Sequence, residues 1–549
     1  MLSRTPRTAR AIALTLAAGA ASAQPVTQPV ELDVYATGLS FDAGTPDTWD
    51  ASMPLAISTI AGSDDILLVS RFNFFGATNT GLWTLDPDSG AATPVFLPEV
   101  LQPGIPNGGN YWSPEIGSNR HGDIAVLVRD LLTDTDYIWR RLHDGSTSVL
   151  SDASTTLADT GDPMLFDDGI TAVLDDGTVA FVGQTPGTPS HLFPRPALVW
   201  QPNGEVRTLF GEGSPVDALP SGAQLNSAEA FPLDDDTWLV RAAYDVPGLS
   251  PGHRPLLLLR EGRAAETVFL FDGPVPGLPS SEVIIGFTFL GAAQGHAYFE
   301  TRSTNGRNVV WTVDTDGNAT QILRENRRAP VPQAGAKYNE FIALHRPLEN
   351  GDLLFRATLT GVPSEADEAV FIYRAAQGSV QLVVQDGESV TGFDPFELTS
   401  QTRASWGPNG EIWLRQSLGD DRIVRRWRGP ASEPQLLFAR SMPIDLDPDP
   451  AAEQPFAVSD LEMFSTDDAV FARLEACCNP SPDNYALVRI TVPTACVADA
   501  NNDGLLTPAD FNAWILAYTI QSDACDQNDD GLCNPGDFNA WVLNFNAGC

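Results

Sequence analysis

The stretch GDLLFRAT (Gly351–Thr358) is one of eight related segments in this 549-residue chain, and the spacing of these segments decides the fold. Each segment begins with Gly or Asp and continues as a short apolar run. In chain order the copies are DILLVSRF from Asp65, GDIAVLVRD from Gly122, GTVAFVGQ from Gly177, DTWLVRAAY from Asp236, GHAYFETR from Gly295, GDLLFRAT from Gly351, GEIWLRQS from Gly410 and DAVFARLE from Asp468. Successive copies start 55 to 59 residues apart, and such a regular period indicates a repeat protein.

Each repeat contains three further short runs with strand character. In the fifth repeat the order is IIGFTFLG, GHAYFETR, VVWTV and ATQIL, and a turn containing Gly separates the last two runs. Helical periodicity is weak in these repeats. Four antiparallel strands repeated radially are the blades of a β-propeller. We therefore expect a mainly β fold, an eight-bladed β-propeller over residues 24–493, with seven blades as the alternative.

The eighth repeat lacks its fourth strand, because no further apolar run follows YALVRITVP (Tyr485–Pro493). The segment VELDVYATG (Val30–Gly38) resembles the fourth strands of the other repeats. We expect residues 30–38 to pair into the last blade and close the ring, since closure removes an exposed sheet edge. In the seven-bladed alternative this segment is an arm outside the ring.

Two repeats resemble, weakly, the secreted bacterial tandem-repeat proteins that carry an N-x-x-G-x-x-A-F motif. The matching positions are Asn119, Gly122, Ala125 and Val126 in one repeat and Gly177, Ala180 and Phe181 in the next. The resemblance is consistent with export and with a repeat fold, and it implies no particular biochemical role.

The first 23 residues have the features of a secretory signal peptide. Arg4, Arg7 and Arg10 precede the apolar run AIALTLAAGA, and the small residues 21–23 form a cleavage pattern. We expect an exported, extracellular chain beginning at Gln24, with a retained anchor as the alternative. No run is long and apolar enough to predict a transmembrane segment.

The composition is strongly acidic, with 71 Asp and Glu against 32 Lys and Arg and a net charge of −39. Lys337 is the single lysine. Such a surface repels nucleic acids and anionic membranes, so we expect neither as a partner.

The repeats contain no recognisable catalytic motif. The six histidines show no H-E-x-x-H spacing, and neither a G-x-S-x-G elbow nor a Gly-rich phosphate loop occurs. With 71 acids, a carboxylate pair for glycoside chemistry stays open.

One position of the repeat is aromatic in most copies. We interpret it chiefly as packing between blades, with a sugar-stacking platform as the alternative. Its occupants are Trp83, Trp139, Trp200, Trp311, Tyr373 and Trp427.

The C-terminal tail contains one sequence motif twice, as DANNDGLLTPADFNAW from Asp499 and as DQNDDGLCNPGDFNAW from Asp526. The pattern D-x-N-x-D-G-x-x-x-x-x-D is a twelve-residue calcium loop of EF-hand type, in which Gly504 and Gly531 make the turn and oxygens surround one ion. The predicted ligands of two Ca²⁺ ions are Asp499, Asn501, Asp503, Leu505 (carbonyl), Thr507 and Asp510 in loop one, and Asp526, Asn528, Asp530, Leu532 (carbonyl), Asn534 and Asp537 in loop two.

Each loop continues into a helix, FNAWILAY (Phe511–Tyr518) and FNAWVLNF (Phe538–Phe545), with Phe, Trp and Leu at i, i+3 and i+5 expected on one apolar face. Few residues separate the first helix from the second loop, and position 12 is Asp. With these features residues 494–549 resemble a dockerin, type I-like and of the variant ending in Gly-Cys (Gly548-Cys549).

The resemblance implies docking to a cohesin-like protein or a cell-surface component. Dockerins commonly carry a hydroxyl pair at loop positions 10 and 11, where this chain has Pro508-Ala509 and Pro535-Gly536. That departure leaves ordinary cohesin recognition open.

Export permits disulfides, and the small tail has four cysteines with three pairings. We favour Cys496–Cys549 and Cys525–Cys533, with a free Cys549 as the alternative. The neighbours Cys477 and Cys478 form either a vicinal disulfide or two thiols.

Together these features predict a calcium-binding, dockerin-anchored propeller that binds a ligand or a surface without catalysis. A carbohydrate-active enzyme, a glycoside hydrolase or lyase in polysaccharide catabolism, and a structural surface-layer component are the alternatives. Whether the protein is an enzyme stays open, with the balance against it.

Overall fold

The computed structural model describes parts of the chain. These are residues 31–37, 49–59, 66–74, 77–85, 92–96, most of 116–387, 403–407, 411–418, 421–427, 429, 435–439, 458–465, 470–476, 485–491, 498, 500, 508–520, 525, 527 and 533–547. Side chains are described for most of residues 117–429 and for part of the tail. The first 23 residues, Cys477 and Cys478 lie outside the described residues.

The fold is mainly β. Within the described residues, 32 strands form eight antiparallel sheets of four strands each, which we number in chain order. In sheets 1 to 7 the strands follow one another in sequence, so each sheet is a meander and each repeat of the sequence supplies one sheet.

The strands of sheets 1 to 4 have the following bounds. Sheet 1 contains β2 (Trp49–Thr59), β3 (Ile66–Phe74), β4 (Ala77–Leu85) and β5 (Ala92–Phe96). Sheet 2 contains β6 (Ile116–Ser118), β7 (Ile124–Asp130), β8 (Thr135–Arg141) and β9 (Thr147–Ser151). Sheet 3 contains β10 (Leu165–Val173), β11 (Val179–Gln184), β12 (Ala197–Trp200) and β13 (Val206–Phe210); sheet 4 contains β14 (Gln224–Pro232), β15 (Thr237–Asp245), β16 (Pro255–Arg260) and β17 (Glu266–Leu270).

The remaining sheets follow the same plan. Sheet 5 contains β18 (Ile284–Ala293), β19 (His296–Ser303), β20 (Asn308–Asp314) and β21 (Ala319–Arg324); sheet 6 contains β22 (Lys337–Leu344), β23 (Leu353–Thr360), β24 (Glu368–Arg374) and β25 (Ser379–Gln385). Sheet 7 contains β26 (Arg403–Trp406), β27 (Ile412–Leu418), β28 (Asp421–Trp427) and β29 (Gln435–Ala439); sheet 8 contains β30 (Val458–Ser465), β31 (Val470–Ala476), β32 (Tyr485–Thr491) and β1 (Glu31–Thr37).

Sheet 8 combines the two ends of the repeat region. Its order is β1-β32-β31-β30, and β1 pairs antiparallel with β32, with Glu31 opposite Thr491 and Thr37 opposite Ala486. This is the sheet to which the sequence assigned residues 30–38. Sheet 8 also contacts its neighbours on both sides, because β30 lies against β26 of sheet 7 and β2 of sheet 1 lies against β30 and β32.

The core lies between successive sheets. Along β20, Val309, Trp311 and Val313 pack toward residues of sheet 4, whereas Val310 packs toward residues of sheet 6. This alternation follows from the two-residue period of a strand, and it requires both faces of the strand to be apolar. Comparable clusters join sheets 2 and 3, sheets 3 and 4, and sheets 6 and 7.

The repeated aromatic position contributes to these clusters. Trp200 lies between sheets 2 and 3, Trp311 between sheets 4 and 5, and Trp427 between sheets 6 and 7, and all three are buried. The indole N–H of Trp311 donates to the Thr301 hydroxyl at 2.9 Å. These positions fit the packing interpretation, since buried rings offer no platform to a sugar; the side chain of Trp83 lies outside the described residues.

Three glycines that open repeats explain why the motif begins as it does. Gly177, Gly295 and Gly351 have φ values of 82°, 69° and 82°, in the left-handed region that favours glycine. Gly177 and Gly351 each close a turn with their own N–H, which donates to the Leu174 carbonyl at 2.9 Å and to the Leu348 carbonyl at 2.8 Å, respectively. The chain can then reverse and enter the second strand of the sheet.

Helices are few. The 3₁₀ segments are η1 (Ser364–Ala366) and η2 (Ala375–Gln377), and the α-helices are α1 (Pro508–Ile520) and α2 (Pro535–Ala547), both in the tail. In the part of the chain that is described, we find no helix with the length and hydrophobicity that crossing a membrane requires.

Candidate functional site

The C-terminal tail forms a small helical unit with an internal two-fold relation. Helices α1 and α2 both have 13 residues and begin at Pro508 and Pro535, which are 27 positions apart. Proline is favoured in the first turn because it has no N–H to leave unsatisfied there. The core of the unit contains Trp514, Ala517 and Trp541 from the helices.

Each tryptophan of the pair binds the start of the opposite loop. Trp514 of α1 donates its indole N–H to the Cys525 carbonyl at 3.1 Å, and Trp541 of α2 donates to the Ala498 carbonyl at 3.0 Å. Ala498 and Cys525 immediately precede the first residues of the two predicted calcium loops. The two halves are therefore joined reciprocally, because the helix of each half binds the residue that precedes the loop of the other half.

The aspartates at loop position 12 lie inside the unit. Asp510 and Asp537 are fully buried in the first turns of their helices. One carboxylate oxygen of Asp537 accepts from Gln527 N–H at 3.0 Å and the other from Asn534 N–H at 2.7 Å. The Asp537 carboxylate thus joins positions 2 and 9 of its own loop, and each of its oxygens has a second lone pair.

Asn534, the predicted ligand at position 9, caps helix α2. Its side-chain oxygen accepts from Gly536 N–H at 2.7 Å, which satisfies one of the free N–H groups at the helix start. Asp537 and Asn534 are therefore brought together, as the loop pattern requires, by one backbone turn. The sequence spacing alone indicates this proximity but not the capping role.

The other predicted calcium ligands lie outside the described residues. They are Asp499, Asn501, Asp503, Leu505 and Thr507 of loop one and Asp526, Asn528, Asp530 and Leu532 of loop two. Among the residues that are described, no group of three or more His, Cys, Asp or Glu side chains is arranged to hold a metal. Asp510 and Asp537 are carboxylates, the ligand type that Ca²⁺ prefers, and no Lys or Arg follows Arg489 in the sequence.

A disulfide joins Cys525 and Cys533, the pairing that the sequence analysis favoured for loop two. It joins the residue before the loop to loop position 8. Cys496 and Cys549 lie outside the described residues.

The apolar face of the tail helices differs from the sequence prediction. Trp514 and Trp541 are buried, but Leu516 and Leu543, expected on the same face, expose 63% and 69% of their surface. A spacing of two residues turns the helix by about 200°, so the leucines lie almost opposite the tryptophans. Ala517 is buried instead, and Leu516 and Leu543 occupy equivalent, exposed positions of the two helices.

A second site, a group of carboxylates, lies where sheets 5 and 6 meet. Glu325, just after β21, accepts from Asn308 N–H at 2.9 Å in sheet 5 and from Phe341 N–H at 3.4 Å in sheet 6. Burial raises the pKa of Glu325, backbone hydrogen bonds lower it, and the negative charge of Glu340 raises it further. Its carboxylate connects the two sheets.

Glu300 of β19 also belongs to this group of carboxylates. Burial, and then the negative charge of Glu325, raise the pKa of Glu300 to about 7, while Arg302 opposes the shift. A carboxyl group with this pKa can exchange a proton near neutral pH. The sequence analysis did not single out Glu300; the available signal is that the same position of other repeats carries Arg241, Arg356 and Arg415.

A cleft of about 610 Å³ opens between sheets 5 and 6 at another place and is lined by His296, Tyr298, Asp352, Tyr373 and Arg374 among others. Asp352 accepts from Arg374 at 2.7 Å and from Ala375 N–H at 2.9 Å. Burial raises the pKa of Tyr298 to about 12. Because its charged groups are already paired with each other, we interpret this cleft as a structural junction.

Residues 113–422 match the model of a protein family described as a family of unknown function, DUF7453. The chain belongs to this family. The match begins just before β6 of sheet 2 and ends at the start of β28 in sheet 7, so it does not include the tail. No curated protein matches the chain.

Several solved structures are similar to the DUF7453 chain at low identity. The polysaccharide lyase Uly1 has a TM-score of 0.34 at 11% identity, over 81% of this chain and 91% of that chain. Prolyl oligopeptidase B from Galerina marginata has a TM-score of 0.40 at 13% identity over 78% of this chain, which spans about half, 55%, of that longer protein. The Nup133 β-propeller domain from Vanderwaltozyma polyspora has a TM-score of 0.27 at 9% identity, over 69% and 94%. At these scores the similarities assign no activity.

Proposed function

We propose that this chain is an exported, non-catalytic binding protein in which an eight-bladed β-propeller carries a calcium-dependent docking module of dockerin type. The observation that carries the proposal is the reciprocal binding of Trp514 to Cys525 and of Trp541 to Ala498. This reciprocal arrangement of the two helices supports a module built of two equivalent halves, each with one calcium loop.

The propeller rests on the arrangement of the sheets. Eight four-stranded sheets in the described residues equal the number of repeats, and consecutive sheets share apolar clusters. Sheet 8 touches both sheet 7 and sheet 1 and contains a strand from each end of the region. Radial packing that returns to its start gives a ring without long exposed edges.

Calcium binding rests on the loop chemistry. Asp510 and Asp537 are buried carboxylates at the last position of each loop, and burying a carboxylate is costly unless a positive charge or several donors compensate it. Bound Ca²⁺ would supply that charge and draw six to eight oxygens of each loop together. The residues that would hold it are those at positions 1, 3, 5, 7, 9 and 12 of the two loops.

Docking rests on the exposed leucines. Of the large hydrophobic residues that are exposed in the described chain, Ile515, Leu516, Phe538 and Leu543 lie on the tail helices. Leu516 and Leu543 occupy equivalent positions of the two helices, and we propose that they supply apolar contacts to a partner. We propose a cohesin-like protein, on a scaffold or the cell surface, as the partner. The Cys525–Cys533 disulfide suits an exported module, since such bonds persist in oxidising surroundings.

Calorimetric titration of the full chain with Ca²⁺ tests the proposal. We expect two tight sites that Asp499→Ala with Asp526→Ala abolishes, since the first loop position supplies a carboxylate to each ion. The control is Asp236→Ala with Asp316→Ala, two exposed turn residues of the repeat region, which changes the net charge equally. Equal loss in both variants, or two sites that survive in the first, would refute the assignment.

One observation favours a second function, a carbohydrate-active enzyme. Burial and the negative charge of Glu325 raise the pKa of Glu300 to about 7, the range that suits a general acid or base in sugar cleavage. Incubation of the chain with a panel of marine and plant polysaccharides distinguishes the two functions. Release of new sugar ends that Glu300→Gln abolishes would establish the enzyme, whereas retention without cleavage supports a binding protein.

A further inference from the structure

A basic pocket that is open to solvent lies where sheets 5 and 6 meet, at the turn between β21 and β22, and its Arg327 and Arg328 are exposed. The pocket has a volume of about 340 Å³ and is lined by Arg324, Arg327 and Arg328, by Tyr338, and by apolar residues that include Pro330 and Val380. Three arginines in one pocket are unusual for a chain with 71 acidic and 32 basic residues. The pocket lies apart from the tail.

The backbone holds this turn in one conformation. Asn326 has a φ of 64°, in the left-handed region that asparagine tolerates better than most residues. Asn326 N–H donates to the Tyr338 carbonyl at 2.7 Å, and Tyr338 N–H donates to the Arg327 carbonyl at 3.0 Å. Arg327 and its neighbours therefore lie on a turn that backbone hydrogen bonds hold to strand β22.

Two residues that line the pocket carry a buried donor with no hydrogen-bond acceptor. The Arg324 Nε–H is buried and unsatisfied, although Nη1 of the same side chain donates to the Gly277 carbonyl at 2.7 Å. The Tyr338 hydroxyl is also buried and unsatisfied, and its ring packs against Phe341, Phe355 and Phe371. An unsatisfied buried donor costs free energy, which an acceptor in the pocket would recover.

In the described part of the chain the arginines of the pocket lack a direct ion pair, although the negative charge of Glu282 acts on Arg324. Among the described residues, no carboxylate forms an ion pair with Arg324, Arg327 or Arg328. The nearby carboxylates are engaged elsewhere, Glu282 with Arg307 at 2.7 Å and Glu325 with two backbone N–H groups. Burial and the charges of Arg327 and Arg307 lower the pKa of Arg324, while the negative charge of Glu282 opposes the shift.

We propose that this pocket binds one oxyanion, a carboxylate or sulfate group carried by a saccharide of about one ring in size. The guanidinium groups and the Tyr338 hydroxyl would donate to the anionic oxygens, while Pro330 and Val380 contact the apolar face of the ring. Arginine is suited to this task because its planar donors match the geometry of such anions. The volume lies at the lower end of the range for small-ligand sites. The inference deepens the proposed binding function by giving it a ligand class.

Calorimetry of the full chain at constant ionic strength tests the pocket. The probes are sodium glucuronate, sodium sulfate, neutral glucose and an oligouronate, because constant salt keeps the screening of surface charge equal. We expect one saturable site per chain for glucuronate or sulfate and none for glucose. Tighter binding of the oligouronate would identify a polysaccharide as the source of the anion, whereas equal binding would identify a free small anion.

Two variants separate the pocket from general electrostatics. Arg327→Gln with Arg328→Gln should weaken binding about tenfold or more, because hydrogen bonds to charged groups are the strong ones. Tyr338→Phe keeps the packed ring, so the fold should persist, and it should weaken binding about threefold to tenfold. The control, Arg207→Gln with Arg263→Gln, removes two exposed arginines of sheets 3 and 4 and should leave binding unchanged.

Absence of saturable anion binding by the intact chain would overturn the inference. So would equal weakening in the control, which would show a response to net charge, or unaltered binding in both pocket variants. None of these results affects the calcium titration of the tail. Failure of the pocket is therefore distinguishable from failure of the proposed docking function.

Discussion

Replacement of Gly351 by alanine tests why the repeat begins with glycine. Gly351 has a φ of 82°, and a Cβ added there would lie 2.5 Å from the Tyr298 hydroxyl and 3.0 Å from Ala375 Cβ. Gly295 occupies the equivalent position of the fifth repeat with a φ of 69°, but its added Cβ would meet only Thr315 Cγ2, at 3.7 Å. The pair therefore separates backbone strain from steric overlap.

The expected magnitudes follow from these distances. Both alanines must adopt a left-handed conformation, which costs about 1 to 2 kcal/mol, partly offset by the lower entropy of the unfolded chain. Gly351→Ala must also displace the Tyr298 hydroxyl, and overpacking of this kind adds about 1 to 3 kcal/mol. We expect Gly295→Ala to destabilise its sheet by about 1 kcal/mol and Gly351→Ala by about 2 to 4 kcal/mol.

A double-mutant cycle isolates the overlap. In a Tyr298→Phe background the nearest oxygen is absent, so the cost of Gly351→Ala should fall toward that of Gly295→Ala, with a coupling of about 1 to 2 kcal/mol. Native-state hydrogen exchange of β19 and β23, with urea unfolding of the full chain, measures the local and overall stability. Equal costs at the two glycines, or no relief from Tyr298→Phe, would refute the reasoning.

Two further predictions concern Glu300 and the tail helices. The folded-state pKa of Glu300 is raised to about 7, so its contribution to stability is present below its usual pKa of 4.5 and is lost as the pH rises through 7. Glu300→Gln, a neutral mimic of the protonated form, should raise the thermal midpoint at pH 8 and change it little at pH 4.5. The control, Glu205→Gln at an exposed position, should show no such difference between the two pH values. Identical shifts at both pH values in Glu300→Gln would contradict the prediction. In the tail, Trp514→Phe and Trp541→Phe should each speed hydrogen exchange throughout residues 494–549 and by similar factors, because each removes one buried indole bond worth about 1 kcal/mol and the bonds are reciprocal. An effect confined to the half that carries the substitution would show that the halves are independent.

Much of the β architecture could be predicted from the chain. The 55-to-59-residue period and the four runs per repeat predict the small four-stranded sheets, because strand alternation and turn glycines are local properties. The assignment of residues 30–38 to the last sheet came from counting strands, and the structure pairs β1 with β32. The repeated tryptophans, expected to pack between blades, lie buried between sheets.

The sites were less accessible to such reasoning. Glu300 and Glu325 are 25 positions apart, and Tyr338 and Arg324 belong to different sheets, so no spacing rule brings them together. The prediction that Leu516 lies on the apolar face of its helix is wrong, because a position at i+5 is rotated away from the buried tryptophan at i+3. The disulfide between Cys525 and Cys533 was one of several pairings that the sequence allowed.

By itself the sequence determined the repeat, the strand content, the doubled loop pattern and the large negative charge, all of which follow from residue type and spacing along the chain. The tertiary structure alone decided which groups meet between sheets 5 and 6, which donors there lack an acceptor, and which leucines of the tail face outward. The physical reason is that periodicity fixes the face of a strand or helix, whereas the pKa of Glu300 and the unsatisfied hydroxyl of Tyr338 depend on burial by residues from other repeats.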